Sequence, residues 1–182
     1  MDTVRKLLKL VVAAVWLAWP AHAQSPVLDD LFTALKATDA AGAQEISRRI
    51  WEEWSKSGSP AMDLLLQRGR AAMAAGDNET AIGHFNAIID HAPEFAEAYN
   101  ARATAYYNMG RLGQSLEDVR VVLALNPRHF GALSGLGLIM NELGHHDFAL
   151  RAYQAIEDIY PTQPNLRENI ERLEQALEGE SL

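Results

Sequence analysis

The chain has no cysteine, and its basic residues are outnumbered by acidic ones. Without cysteine it forms no disulfide, holds no metal through thiolates and uses no cysteine nucleophile. Its 24 acidic and 16 basic residues give a formal net charge of -8. Because a nucleic-acid binder usually needs a basic surface to replace the counterions of the phosphates, we expect no nucleic-acid partner.

Long apolar runs are scarce, and the clearest one lies near the N-terminus. From Leu7 to Trp19 it counts 13 residues with Lys9 included, whereas a helix that spans a bilayer needs about 20. Basic residues precede this run, and the small-x-small pattern Ala21-His22-Ala23 follows it, as in a secretory signal peptide. We therefore predict that residues 1–23 are a leader cleaved after Ala23. The protein would then be periplasmic or secreted and not membrane-embedded; an uncleaved anchor is the alternative.

The chain does contain a period of 34 residues. The recurring columns are Gly42, Gly76, Gly110 and Gly144; Ser47, Ala81, Ser115 and Ala149; Trp51, Phe85, Val119 and Tyr153; Trp54, Ile88, Val122 and Ile156; and Pro93, Pro127 and Pro161. Period-2 runs bounded by hairpin turns, which would indicate strands, are absent. The period and the residue types resemble the tetratricopeptide repeat, a helix–turn–helix unit of 34 residues.

The resemblance implies an all-α solenoid of helix–turn–helix repeats. With the recurring proline near the end of each unit, residues 24–61 hold a lead-in and a degenerate first repeat at 28–61. Three further repeats follow at 62–95, 96–129 and 130–163. Residues 164–182 are predicted to form a capping helix and tail, because Leu166, Ile170, Leu173 and Leu177 make one apolar stripe.

Each column has a physical reason. A small residue in the middle of the first helix, such as Gly69 or Gly137, lets the second helix approach closely. The glycine at the end of the first helix, for example Gly76, takes a left-handed cap at the lowest cost. Proline cannot continue a helix interior but suits the first turn of the next helix.

The first repeat departs from this pattern. Leu35 stands where the other repeats have a small residue, so its two helices should pack farther apart. Trp51 and Trp54 are available to fill the extra space. We expect their fluorescence to report on this repeat alone.

No set of residues indicates an active site. Ser134 lacks glycine two residues to either side, which a strained nucleophile turn needs. The cluster His145-His146-Asp147 lies in a turn between helices, with no second group of metal ligands at a matching spacing. We predict no catalytic residue, no metal and no cofactor.

In the family, the first helices line a concave groove that holds a polypeptide. Carried over by position, the partner-binding residues are predicted to be Arg70, Met73, Asn100, Thr104, Tyr107, Asn108, Ser134, Leu138 and Asn141. The resemblance therefore implies a non-catalytic adaptor in the cell envelope with a protein or peptide partner. The alternative is a self-associating array that forms a homo-oligomer.

Chaperone-tail clamps in this family grip a C-terminal carboxylate with Lys, Arg and Asn. The corresponding positions here are Leu66, Arg70, Ala101, Leu138 and Glu142. Only Arg70 could bind the carboxylate, and Glu142 would repel it, so we do not expect this specificity.

The fourth repeat has two glycines beyond the family's small packing position at Gly137. Gly131 and Gly135 each cost about 1 kcal/mol relative to alanine inside a helix. Two explanations stand: local neutral variation or close contact with the preceding repeat on one hand, and a depression where a partner's backbone approaches on the other.

Overall fold

The structure, a computed structural model, describes residues 26–180 as nine helices with no strand among them. The helices are α1 (Pro26–Ala37), α2 (Ala40–Trp54), α3 (Pro60–Ala74), α4 (Asn78–His91), α5 (Ala96–Asn108), α6 (Leu112–Leu125), α7 (Phe130–Glu142), α8 (His146–Glu157) and α9 (Leu166–Glu180). The leader predicted over residues 1–23 lies outside the described residues. None of the described helices combines the length and the apolar character that crossing a bilayer requires.

Helices α3 to α8 form three antiparallel pairs, which stack in chain order, and α9 packs against α8. The first helices of the pairs, α3, α5 and α7, also contact one another in sequence and so form one layer. We call residues 60–180 the array. The prediction of an all-α solenoid of helix–turn–helix units with a C-terminal capping helix is confirmed.

The turn inside each pair of the array has the same construction. Gly76, Gly110 and Gly144 adopt φ values of 81°, 69° and 75°, in the left-handed region. The residue after each glycine donates its N–H back into the preceding helix; at Gly76 this bond joins Asp77 N to Ala72 O at 2.9 Å. The last carbonyls of the first helix are thereby satisfied, as a glycine cap requires.

Small residues let the two helices of a pair approach closely, as predicted. A Cβ atom added at Gly69 would lie 2.3 Å from the Phe85 ring, and one added at Gly137 would lie 2.8 Å from the Tyr153 ring. In the middle pair, the buried Ser115 hydroxyl donates to the Ala103 carbonyl at 2.8 Å. The large residue of one column therefore fills the gap that the small residue of another column leaves.

The capping helix α9 covers the end of the stack with its apolar stripe. Leu166, Ile170 and Leu173 are buried, and they belong to the same core as Tyr153 and Ile156 of α8. The exposed side of α9 carries most of its charged residues. The helix thus hides the apolar edge of the last pair, which has no following repeat to cover it.

The α1–α2 hairpin, residues 26–54, does not repeat the construction of the array. Its turn comes at residues 38–39, and Gly42 lies in the first turn of α2, where its N–H donates to the Asp39 side chain at 2.9 Å. Leu35 is fully buried in the position that Gly69 occupies in α3. The hairpin instead folds across the surface lined by the first helices.

Trp51 and Trp54 make this contact across the first helices. Trp54 stacks on His129 at the N-terminus of α7, with ring centroids 4.1 Å apart and planes 13° apart. Trp51 meets Phe130 edge to face at 5.5 Å. The expectation that the two tryptophans report on the first repeat alone is wrong, because Leu35 leaves no room for Trp51 between α1 and α2, so its ring faces α7.

Candidate functional site

The layer of first helices carries a cavity of about 120 Å³ between α5 and α7. Ala103, Val119, Gly135 and Ile139 form its apolar floor, and Asn100, Thr104, Tyr107 and Leu138 stand at its rim. An apolar floor with a few polar groups around it is the usual construction of a binding pocket. We call these eight residues the open groove.

Two rim residues of the open groove have defined bonds. The Tyr107 hydroxyl donates to Glu142 Oε2 at 3.0 Å, which ties α5 to α7. Burial, and then the Glu142 carboxylate, raises the pKa of Tyr107, so its hydroxyl keeps its proton at neutral pH. Thr104 donates to the Asn100 carbonyl within α5 at 3.0 Å.

Asn141 and Leu138 remain available to a ligand. The Asn141 side chain makes no hydrogen bond or ion pair within residues 26–180, so its amide can both donate to and accept from a peptide backbone. Leu138 is 42% exposed, so its side chain is accessible at the rim of the cavity. The α7 side of the groove therefore offers one apolar and one polar contact.

A buried polar network lies at the other end of the first-helix layer. Glu97 is 2% exposed and pairs with the Arg70 guanidinium of α3. Its second oxygen lies 3.1 Å from His129 Nε2. His129 Nδ1 accepts the Ala132 N–H at 3.1 Å and so caps α7, which assigns the proton of the neutral ring to Nε2. His129 thus donates to Glu97, and the network joins all three first helices.

The α2 end of the hairpin covers this network. We call His129, Phe130 and Gly131 the hairpin seat. The Trp51 ring lies against Gly131 of the seat, where an added Cβ would be only 2.5 Å from the ring. Next to the network, Arg70 Nη1 donates to Ser55 Oγ at 3.0 Å. At the outer edge, Arg128 pairs with Asp29 and lies over the Phe32 ring, with Cζ 4.3 Å from the centroid.

The extra glycines of the fourth repeat therefore have separate explanations. Gly131 is in close contact, but with Trp51 of the hairpin rather than with the preceding repeat, and it also borders the cavity of the open groove. At Gly135 a Cβ would meet only Val119, at 3.8 Å, and that position belongs to the floor of the open groove. Gly137 is the family's packing glycine, against Tyr153.

The structure places seven of the nine sequence-predicted groove residues in or beside these two regions and two elsewhere. Asn100, Thr104, Tyr107 and Leu138 come together in the open groove, with Asn141 one turn beyond Leu138. Arg70 and Ser134 lie on the hairpin side, where Arg70 binds Glu97 and Ser134 accepts from Gln163 Nε2 at 3.0 Å. Met73 packs against the core of α3 to α5, and exposed Asn108 contacts Asn78 at 3.4 Å.

Glu97 and His129 were not among the predicted site residues. The available signal was local: His129 follows Pro127 and stands three residues before Ala132, in the position of a helix N-cap. The link to Glu97 is tertiary and has no signature in the spacing. The clamp positions hold no cluster of free cations, since Leu66 is 1% exposed and Arg70 is paired with Glu97.

Within residues 26–180, no three His, Asp or Glu side chains are placed to share a metal ion. Ser134 donates its hydroxyl to the Phe130 carbonyl at 2.9 Å, as a serine inside a helix commonly does. The arrangement that the described residues do offer is a recognition surface: an apolar floor, polar rim groups and a covered aromatic seat.

Comparisons with known proteins place the same residues in repeats. A family model described as tetratricopeptide repeat matches residues 66–120 and 100–164. A "TPR repeat-containing protein" of Rhizobium etli is 37% identical over 153 residues, which are 84% of this chain and 75% of that protein. A heat-shock cognate co-chaperone, sgt12 of Aspergillus fumigatus, is 29% identical over 119 residues, 65% of this chain and 35% of that protein.

Solved structures share the fold. The Sgt2 TPR domain from Aspergillus fumigatus has a TM-score of 0.63 at 24% identity and covers 68% of this chain and 83% of that domain. The first TPR of Spaghetti (RPAP3), bound to the HSP90 peptide SRMEEVD, has a TM-score of 0.63 at 22% identity, covering 65% of this chain and 97% of that one. MamA has a TM-score of 0.60 at 22% identity, covering 75% and 78%.

Proposed function

Because the chain belongs to the tetratricopeptide repeat family, we propose that it is a non-catalytic adaptor that binds a polypeptide partner in the open groove. The observation that carries the proposal is the cavity between α5 and α7, with its apolar floor and its rim of Asn100, Thr104, Tyr107 and Leu138. The structurally similar Spaghetti domain binds an HSP90 peptide, which supports a polypeptide ligand for this fold. The ligand chemistry would differ, since the clamp positions here do not assemble a carboxylate site.

The open groove suits an extended segment with one aliphatic side chain. The floor is mostly apolar, and the volume of the cavity is similar to the roughly 150 Å³ cavities that accept a ligand the size of benzene. Around it, the Asn141 amide can pair with a peptide backbone, and exposed Leu138 can cover the inserted side chain. Most of the affinity would come from the inserted aliphatic side chain, and the Asn141 amide would fix the position of the peptide along the groove.

We also propose that the adaptor acts in the cell envelope. The support is the sequence of residues 1–23, with its basic start, its short apolar run and its Ala-x-Ala ending. Intact-mass measurement of the protein from the periplasmic and the cytoplasmic fractions of bacterial cells tests the proposal. A periplasmic species beginning at Gln24 is expected, and finding only a cytoplasmic species that retains residues 1–23 would contradict it.

Affinity capture tests the groove. Partners bound by the unmodified protein are compared with those bound by a variant carrying Asn100→Ala, Tyr107→Ala and Asn141→Ala. A matched control carries Gln114→Ala, Glu117→Ala and Arg120→Ala, exposed positions on the second helix α6. We expect the groove variant to lose a partner that the control retains. Identical partners with all three proteins would exclude the open groove as the binding surface.

Self-association, the alternative drawn from the sequence, stays a prediction. Sedimentation across a range of concentrations tests it, because a molecular mass that does not change with concentration would count against a homo-oligomer.

A further inference from the structure

The α1–α2 hairpin occupies part of the surface on which the proposed function places a partner. Its contacts with the array join side chains far apart in sequence: Trp51 and Trp54 meet the hairpin seat, and Asp29 pairs with Arg128. Ser55, in the connecting segment, accepts a hydrogen bond from Arg70. Helix α3, which follows it in the chain, packs mainly against α4 and α5. The hairpin thus lies on the array as a ligand would, joined to it by residues 55–59.

The fit between hairpin and array is incomplete. Two clefts flank Trp51: one of about 380 Å³ bounded by Ser134 and Gln163, and one of about 720 Å³ between Arg48 and Arg70. Both clefts are open to solvent, and the smaller one separates Ser47 and Trp51 of α2 from Ser134 and Gln163 of the array. The edges of α2 beside Trp51 are therefore not packed against the array.

Unsatisfied polar atoms mark the same contact. The indole N–H of Trp54 is buried without a hydrogen-bond partner, and so is Gln163 Oε1 beside the smaller cleft. Such groups regain hydrogen bonds when water or a better ligand reaches them. Opening the hairpin would relieve the Trp54 N–H, and an incoming donor could satisfy Gln163.

The seat is held in place by the array itself. His129 is fixed by the Ala132 N–H on one side and by Glu97 on the other, and Glu97 is held by Arg70. None of these bonds involves the hairpin. The aromatic and glycine surface that receives Trp51 and Trp54 is therefore preorganised and would persist when the hairpin leaves.

We propose that the hairpin seat is a docking site for an amphipathic helix of a partner protein, and that the α1–α2 hairpin fills this site until such a helix displaces it. The partner helix presents two aromatic side chains one turn apart, because Trp51 and Trp54 are spaced in this way and both meet the seat. It carries acidic or hydroxyl groups at its flanks, which complement Arg128 and Arg70 as Asp29 and Ser55 do. The inference rests on the proposed function only in placing the partner on the first-helix layer.

A labelled synthetic peptide of residues 40–57 is the probe, and its binding to full-length protein is followed by fluorescence anisotropy. In a Trp51→Ala/Trp54→Ala variant the seat is free of its own aromatic rings. We expect this variant to bind the peptide at least about tenfold more tightly than the unmodified protein, because an apparent Kd rises as the open fraction falls. A peptide with both tryptophans replaced by alanine should not bind.

Two further substitutions locate the peptide. Adding Gly131→Ala to the variant should abolish binding, because its Cβ takes the place of the Trp51 ring, whereas adding Gly135→Ala should leave binding unchanged. Equal affinity of the variant and the unmodified protein, or no effect of Gly131→Ala, would overturn the proposal. Concentration-dependent dimerisation with exchanged hairpins, in place of peptide binding, would also overturn it.

Hydrogen exchange on the unmodified protein provides a measurement that does not depend on the variants. Residues 40–54 should exchange through local opening faster than α5 and α7, and excess peptide should accelerate them further. Exchange of the hairpin and the array as one cooperative unit would contradict displacement. Because the Asn100/Tyr107/Asn141 variant addresses the open groove and the peptide addresses the seat, failure of one proposal is distinguishable from failure of the other.

Discussion

The array and the α1–α2 hairpin come from the same 34-residue period yet use their aromatic residues in opposite ways. In the array, Phe85 and Tyr153 point into their own pair of helices, where Gly69 and Gly137 leave space for them. In the hairpin, Leu35 occupies that space, and Trp51 turns outward onto Gly131 of a distant helix. The residue at the position of Leu35, Gly69 and Gly137 therefore decides where the large aromatic residue of a helix pair packs. A glycine there lets the ring pack inside its own pair, whereas a leucine directs it to another helix.

The dependence of the two regions on each other is unequal. The array is bonded internally, whereas the aromatic contacts of α2 with the array are those of Trp51 and Trp54 with His129 and Phe130 at the start of α7. Damage to the array should therefore release the hairpin as well, whereas damage to the hairpin should leave the array folded. The following substitutions test this asymmetry.

The largest loss of folding stability is expected from Arg102→Leu, inside the array. The Arg102 guanidinium donates to Asp118 at 2.6 and 2.8 Å and to Asn86 at 2.6 Å, joining α4, α5 and α6. These bonds to Asp118 raise the pKa of Arg102. Without it, Asp118 is left buried and unpaired, at a cost of about 3–5 kcal/mol. Denaturant unfolding followed by circular dichroism should show the loss, and Arg120→Leu, at an exposed pair, should show almost none.

A smaller and local effect is expected from Trp54→Ala. The substitution removes a buried ring that contacts His129, Phe130 and Phe32 and should weaken hairpin docking by about 3 kcal/mol. Hydrogen exchange should rise throughout α1 and α2 and remain unchanged in α4 to α8. Phe148→Ala, at an aromatic residue that is 52% exposed, is the control and should alter neither region. Uniformly faster exchange in both regions would show that the hairpin and the array fold as one unit.

An increase in stability, rather than a loss, is expected from Gly135→Ala. Its Cβ meets only Val119 at 3.8 Å, and alanine is favoured over glycine inside a helix by about 1 kcal/mol. A higher melting temperature together with weaker partner capture would support a partner lying against this floor. Higher stability with unchanged capture would rule out the depression that the sequence suggested.

The smallest effect on stability is expected at high pH and comes from a tyrosine of the array. Burial raises the pKa of Tyr153 in the array above its ordinary value of 10.0, and nearby Arg172 opposes the shift only in part. Because the folded-state pKa is the higher one, the contribution to stability is complete below pH 10 and is lost as pH rises through the folded value. Tyr153→Phe should therefore match the unmodified protein at pH 7 and be relatively more stable above pH 10. Parallel stability curves for the two proteins would contradict this assignment.

The sequence predicted the array well because its determinants are local. Glycine caps, small packing residues and the stripe of α9 act within one helix pair, so their spacing carries the information. The path of the hairpin could not be predicted in this way, because Trp54 and His129 are brought together only by tertiary folding. Leu35 did indicate that the first pair differs, but not where the displaced ring would go.

The candidate site divides in the same manner. Position along the first helix was enough to bring Asn100, Thr104, Tyr107 and Leu138 to one cavity. It could not show that Arg70 is held by Glu97, because that carboxylate comes from the next repeat and is itself anchored by His129. A polar side chain in a periodic groove can bond to a neighbouring protein residue instead of a ligand. Spacing in the sequence does not show which of the two it binds.

The stack of Trp54 on His129 also makes the NMR signals of His129 sensitive to the position of the hairpin. An indole lying flat on an imidazole at 4.1 Å shields the carbon-bound protons of that ring through its ring current. In the same imidazole, Nδ1 accepts the Ala132 N–H and Nε2 faces Glu97, so its two nitrogens have distinct chemical shifts. A single histidine resonance can thus show whether the hairpin is docked while its nitrogens report on the network beneath.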